Sequence, residues 1–202
     1  MKNVLTLITC PIAVLAASIP RATQDAPSGP FVAGVWRPPQ AGEVWFVGKA
    51  INASGGKFYI NRNTSTYCPE GVSGLDCSLY AGSGTTFVTS NETTTMSLVV
   101  TVPGGQQVYV APDGSLSYTQ AHSAYIPEGS IITGFSRQQS VAFGAPVVLS
   151  NAGQSWNLCP VTEGEPKERT YQIFAVPGLL EGCLRTEIRS YNPDAGNVWQ
   201  YA

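Results

Sequence analysis

The feature that most constrains this chain is the absence of helical periodicity together with closely spaced turn residues. Outside the N-terminus, no window of about eleven residues places apolar side chains at i, i+3, i+4 and i+7. Short runs rich in β-branched and aromatic residues instead alternate with turns, and the chain contains 21 Gly and 15 Pro. This pattern predicts an all-β fold, a single-domain antiparallel β-barrel or β-sandwich.

Two runs carry the clearest strand signals. In CLRTEIRSY, the residues Leu184, Thr186 and Ile188 alternate with charged ones, which is the period of a half-buried strand. The run VYVAPDGSLSY predicts a hairpin, because proline presets φ and glycine accepts a positive φ at the turn. EVWFVGK and KFYINR, on either side of INASGG, predict a strand pair.

The N-terminus predicts the compartment. Lys2 precedes the apolar run VLTLITCPIAVLA and three small residues, the pattern of a secretory signal peptide. The run is shorter than the roughly 20 residues that span a bilayer. We predict a signal peptide over residues 1–18, an extended N-terminal arm over 19–41 that is rich in Pro, Gly and Ala, and a β domain over 42–202.

The charge of the mature chain argues against nucleic acid as a partner. The whole chain has 11 basic and 13 acidic residues, so the loss of Lys2 leaves ten against thirteen, a net charge of −3. The basic residues are scattered, whereas nucleic-acid binding needs a clustered basic face. No other apolar stretch is long enough to cross a membrane, so we expect a soluble, secreted product.

Four cysteines remain after the signal peptide: Cys68, Cys77, Cys159 and Cys183. An even number in a secreted chain predicts two disulfides. Three pairings are possible, of which we favour the local one, Cys68–Cys77 and Cys159–Cys183. A zinc site is not expected, since the chain has no CxxC pair and only one histidine.

Three Asn-x-Ser/Thr sequons begin at Asn52, Asn63 and Asn91. In a secreted chain they predict at least one N-linked glycan on an exposed loop.

No catalytic constellation is recognisable. A Ser–His–Asp hydrolase would need His122 as its base, and neither a GxSxG elbow nor a second histidine is present. Most of the acidic residues lie beside Gly or Pro in apparent turns, so a glycosidase pair is not indicated. No cofactor motif is found. The tryptophans and tyrosines could stack on sugar rings, but aromatic residues in strands are more often core.

Several motifs in order, YCP…GLDC, VPGGQQVYV, PDGSLSYTQAHS, SWNLCP, QIFAV and a final WQY, together resemble the fungal secreted cell-wall proteins of the PhiA type. The resemblance covers about residues 42 to 202. That group includes proteins linked to phialide and conidium development, IgE-binding allergens and elicitors of plant defence. The resemblance implies a secreted, wall-associated, non-catalytic β protein, and the four cysteines match the family framework.

We therefore expect a secreted, non-enzymatic fungal protein of the cell wall that acts as an allergen or as an elicitor recognised by a host. Its expected partners are cell-wall polysaccharide or a host receptor. The alternative is a carbohydrate-binding module for wall glycans, and a glycoside hydrolase is less favoured.

Overall fold

The computed structural model describes residues 23–25, 29–37, 44–140 and 144–202, and the regular secondary structure of these residues is almost entirely β. The predicted signal peptide lies outside them. The strands are β1 Thr23–Asp25, β2 Phe31–Trp36, β3 Asn52–Ser54, β4 Lys57–Ile60, β5 Thr66–Tyr67, β6 Thr86–Thr89, β7 Met96–Leu98, β8 Gln106–Val110, β9 Leu116–Tyr118, β10 Phe135–Ser140, β11 Val147–Asn151, β12 Ser155–Pro160, β13 Tyr171–Val176, β14 Leu184–Tyr191 and β15 Gln200–Tyr201. Two 3-10 helices, Val44–Phe46 and Cys77–Tyr80, complete the secondary structure of these ranges. The all-β prediction is confirmed.

Nine of these strands close into an antiparallel barrel. Their order is β2, β6, β7, β8, β9, β4, β13, β12 and β14, and the ring closes because β14 also pairs with β2. The C-terminal half of β14 pairs in addition with β11, which continues through β10 to β1 as an outer flange. A separate two-stranded sheet joins β15 to β5. The barrel form of the predicted fold is therefore the correct one.

Alternating side chains fill the barrel interior. In β8 the buried residues are Gln106, Val108 and Val110, while Gln107 and Tyr109 face outward. Strand β14 shows the alternation expected from its sequence, with Thr186 and Ile188 inside. The hairpin predicted at APDG joins β8 to β9. Apolar side chains from both sides of the ring meet in one core cluster, which includes Phe31, Phe46, Phe58, Phe87, Met96, Leu116, Leu158 and Ile173.

The prediction that residues 19–41 form an arm outside the packed domain is wrong for β2. Phe31 and Val35 are fully buried, and β2 pairs with both β14 and β6. A Cβ at Gly34 would lie 3.1 Å from the Tyr191 ring, so a larger residue there would require that ring to shift.

The predicted strand EVWFVGK is also wrong, because Val44–Phe46 forms a 3-10 helix. Trp45 and Phe46 stack edge to face with ring centroids 5.1 Å apart, whereas successive side chains of a strand point to opposite faces. The partner of β4 is instead β3, across the turn at Gly55 and Gly56.

Two disulfides were part of the predicted fold, and both are present. They join Cys68 to Cys77 and Cys159 to Cys183, so each closes a local loop. Among the described residues no helix is long and apolar enough to cross a membrane.

Candidate functional site

Turns at one end of the barrel enclose a polar groove of about 600 Å³. The β3–β4 turn at Gly55–Gly56 and the β8–β9 turn at residues 112–114 approach each other because Lys57 of β4 pairs with Ser117 of β9. Residues 119–127 form the remaining wall. We call this space the Lys57 groove. Its volume lies within the roughly 300–1,000 Å³ of small-ligand sites.

A chain of short hydrogen bonds fixes the charged groups of the groove. Lys57 Nζ donates to Ser115 Oγ at 2.6 Å, and Ser115 Oγ donates to Asp113 Oδ1, also at 2.6 Å. The Ser115 amide donates to the same carboxylate oxygen at 2.9 Å. Lys57 Nζ lies 3.8 Å from Asp113 Oδ2. The ammonium has three N–H donors, so Lys57 keeps donors for a ligand while its position is set by Ser115.

The Asp113 carboxyl of this chain stays ionised at neutral pH. Burial opposes ionisation of the Asp113 carboxyl, but the hydrogen bonds from Ser115 and the charge of Lys57 outweigh it and lower its pKa. The lysine and the serine do not form a nucleophile–base pair. Ser115 is 0% exposed, so its hydroxyl is not accessible to a substrate.

Tyrosines form the aromatic part of the groove. Tyr125 stands at the rim and is 75% exposed, while Tyr118 lies buried in the floor. Burial, with smaller contributions from Tyr125 and Asp113, raises the pKa of Tyr109. Burial likewise raises the pKa of Tyr118 to about 12. Both hydroxyls therefore remain protonated, and able to donate, throughout the physiological range.

A second depression of about 460 Å³ adjoins the groove. The two share Gly55, Gly56, Tyr118 and Gln120 as lining residues. Its far end is formed by β15 and Ala202, whose carbonyl oxygen accepts hydrogen bonds from the Gly55 amide and the Tyr118 hydroxyl.

A larger cavity of about 830 Å³ lies beside β14, where β11 and β12 pair with different parts of that strand. It is lined by Trp36, Trp156 and the Cys183 end of the second disulfide. Arg189 lies over the Trp36 ring at 3.6 Å and is held by Glu187, so one face of that ring is covered. Trp156 is buried and donates its indole N–H to Leu149. Its lining also holds fixed polar groups: Arg185 donates to Ser155 Oγ at 3.1 Å, and Thr186 Oγ1 donates to the Trp36 carbonyl oxygen at 3.0 Å.

Three tryptophans contact other side chains. Arg189 covers one face of the Trp36 ring, Trp45 packs on Tyr171, and Trp199 meets Tyr80 edge to face. The exposed aromatic side chain of the groove is Tyr125, which the sequence did not distinguish from eight other tyrosines.

His122 is exposed and has a positive φ of 61°. It lies in the loop that borders the groove, but it is not among the residues that line it. Among the described residues, no group of three potential metal ligands is found.

The sequons differ in their surroundings. Asn63 and Asn91 are exposed in connections between strands. Asn52 lies in β3, and its amide donates to the Arg62 carbonyl at 2.7 Å. Hairpin pairing places Asn52 in the sheet, and glycosylation at Asn52, Asn63 and Asn91 stays a prediction.

The sequence did not identify Lys57 or Ser115 as site residues. The two are far apart in the chain and meet only through the pairing of β4 with β9. The one local signal was the PDGS turn, in which Asp113 accepts from the residue two positions later, a common Asx-turn contact.

Comparison with known proteins identifies the family. Residues 44–202 match the model of the family described as PhiA-like secreted protein. The chain belongs to this family. It is also 34% identical over 161 residues to an uncharacterized secreted protein of Arthroderma benhamiae, an alignment that covers 75% of this chain and 76% of the relative. No solved structure matches the chain significantly. The chain is therefore a secreted fungal protein with extracellular localisation.

Proposed function

We propose that this PhiA-like protein is a non-catalytic component of the fungal cell wall, held there by wall glycan bound in the Lys57 groove. The observation that carries the proposal is the fixed Lys57–Ser115–Asp113 chain beneath an exposed tyrosine.

The chemistry of the groove suits a sugar. A sugar hydroxyl both donates and accepts hydrogen bonds, and the groove offers the donor Lys57, the acceptor Asp113 and the amide of Gln120, which does both. The C–H face of a sugar ring is apolar and packs on a flat aromatic side chain such as Tyr125. A preformed concave site with a few fixed polar groups is the usual arrangement for small-ligand recognition.

The same groups argue against glycoside hydrolysis. That reaction uses two carboxyl groups, one of which is a general acid with a raised pKa. Asp113 is the one carboxylate side chain among the groove-lining residues, and its pKa is lowered. The buried Ser115 cannot reach a substrate. The groove therefore supports binding without bond cleavage.

Retention on insoluble wall polysaccharide tests the proposal. Mature protein is incubated with chitin and with β-glucan, and the bound fraction is compared for wild type, Lys57→Met and Lys49→Met. Lys49 is exposed on a turn away from the groove, so its variant is the matched control for loss of one lysine charge. Wild type and Lys49→Met should be retained. Lys57→Met should bind about tenfold more weakly, which corresponds to a loss of about 1.4 kcal/mol of binding free energy. No retention on any wall polysaccharide, or release of soluble sugar with turnover, would contradict the proposal.

A host receptor is the second candidate partner, for a role as an elicitor. The loop closed by Cys68–Cys77 and its flanks expose Tyr67, Val72 and Leu79, an apolar surface held by a disulfide. Infiltration of purified protein into leaves, with a Leu79→Ser variant and a heat-treated control, tests this role. A response that Leu79→Ser leaves unchanged would exclude this surface.

A further inference from the structure

Building on the proposed glycan binding, we infer that the groove takes an internal stretch of a linear, uncharged polysaccharide. The bound chain crosses the Gly55–Gly56 turn, from the Lys57 groove into the adjoining depression. This inference specifies the ligand class and its path, which glycan binding alone does not.

The first support is the continuity of the two spaces. The depressions of about 600 and 460 Å³ meet along Gly55, Gly56, Tyr118 and Gln120. Each alone has the size of a small-ligand site. Together they offer more room than one or two sugar rings need, so the site suits several consecutive units of a polymer.

The second support is the low turn between the depressions. Gly55 and Gly56 have φ values of 59° and 76°, as a type I′ hairpin turn requires. A Cβ at Gly55 would meet no atom within 4 Å, and one at Gly56 would meet only the Tyr118 carbonyl oxygen, at 4.0 Å. A side chain would therefore project into open space above the turn. The Gly-Gly pair leaves this passage clear, although Asn-Gly satisfies the same turn.

The third support is charge. Among the side chains that line the two depressions, Lys57 and Asp113 carry the formal charges, one positive and one negative, and they pair with each other. The second depression adds the neutral amide of Gln200 to that of Gln120. A polyanion or a polycation would gain from one member of the pair and be repelled by the other. An uncharged chain of hydroxyl or acetamido sugars can hydrogen-bond to both Lys57 and Asp113 without electrostatic repulsion.

The experiment is calorimetric titration of the mature protein with β-glucan and chitin oligosaccharides from disaccharide to octasaccharide. Wild-type affinity should rise about tenfold between the disaccharide and the hexasaccharide, and an octasaccharide with a bulky group at each end should still bind. Gly55→Asn places a side chain above the turn while keeping a favoured Asn-Gly sequence. This variant should bind the hexasaccharide no more tightly than it binds the disaccharide.

A second variant, Gln120→Ala, removes a shared lining residue and should reduce the gain with length even if Gly55→Asn fails to fold. The outcomes separate the two claims. Absence of binding to every glycan overturns the proposed function and this inference together. Binding that is independent of length, is lost on capping the chain ends, or is stronger for chitosan or polygalacturonate overturns the inference alone.

Discussion

The buried side chain of Gln106 ties the C-terminal strand to the barrel, and its replacement should be costly. Gln106 is 2% exposed. Its Nε2 donates to the carbonyl oxygens of Thr119 and Tyr201, each at 3.0 Å, and its Oε1 accepts from the Tyr201 amide at 2.8 Å. Met has a similar volume but replaces none of these bonds. At about 1–1.5 kcal/mol for each of three bonds, Gln106→Met should lower the free energy of unfolding by about 3–4.5 kcal/mol.

Urea denaturation of Gln106→Met and Gln107→Met measures this cost. Gln107 is the neighbouring residue of β8 but faces outward, so its variant should change stability by less than about 0.5 kcal/mol. Hydrogen exchange should also show faster exchange at the Tyr201 amide in Gln106→Met. Equal stabilities for the two variants would refute the role assigned to Gln106.

Three further changes test the fold. Burial raises the pKa of Tyr118 from 10.0 to about 12. The stability that its neutral hydroxyl contributes is therefore fully present below about pH 10, and roughly 3 kcal/mol is lost as the pH rises to about 12. Unfolding curves for Tyr118→Phe should lack this loss, and an unchanged pH profile would contradict the assignment. Removing Cys159–Cys183 should cost about 3.5 kcal/mol and removing Cys68–Cys77 about 2.6 kcal/mol, because the bridged residues are 24 and 9 positions apart. Denaturation of the paired alanine variants tests this order, and the reverse order would refute it. Gly82→Ala would place a Cβ 2.6 Å from the Asn197 carbonyl oxygen, so its thermal unfolding midpoint should fall by several degrees, and an unchanged midpoint would contradict the close packing seen there.

The sequence predicted those elements whose signals are local. The alternation in β14 and the Pro-Asp-Gly turn after β8 each determine structure within a few residues. The sequence did not predict the 3-10 helix that contains Trp45 and Phe46, because the periodicity of a short apolar run does not distinguish a strand from a helical turn. Around Gly34, the Pro, Gly and Ala content predicted an arm, but these residues form a barrel strand in which the glycine lies close to the Tyr191 ring.

The candidate site was harder to predict because its residues are brought together by strand pairing. Lys57 contacts Ser115 across 58 positions of the chain, and no local pattern marks either residue. His122 was a candidate because it is the single histidine. It does not line the groove, whereas neighbouring residues of its loop do. Tyr125 differs from the other exposed tyrosines only because the loop that follows β9 places it at the rim of the groove.

The most direct test of the central claim is to map bound glycan on the protein surface. Amide chemical shifts of the mature protein are followed by NMR during titration with a hexasaccharide that the protein binds. The structure predicts changes concentrated at Gly55, Gly56 and Lys57 and between Tyr109 and Tyr125. Changes concentrated instead around Trp36 and Trp156, or spread evenly over the surface, would show that the Lys57 groove is not the binding site.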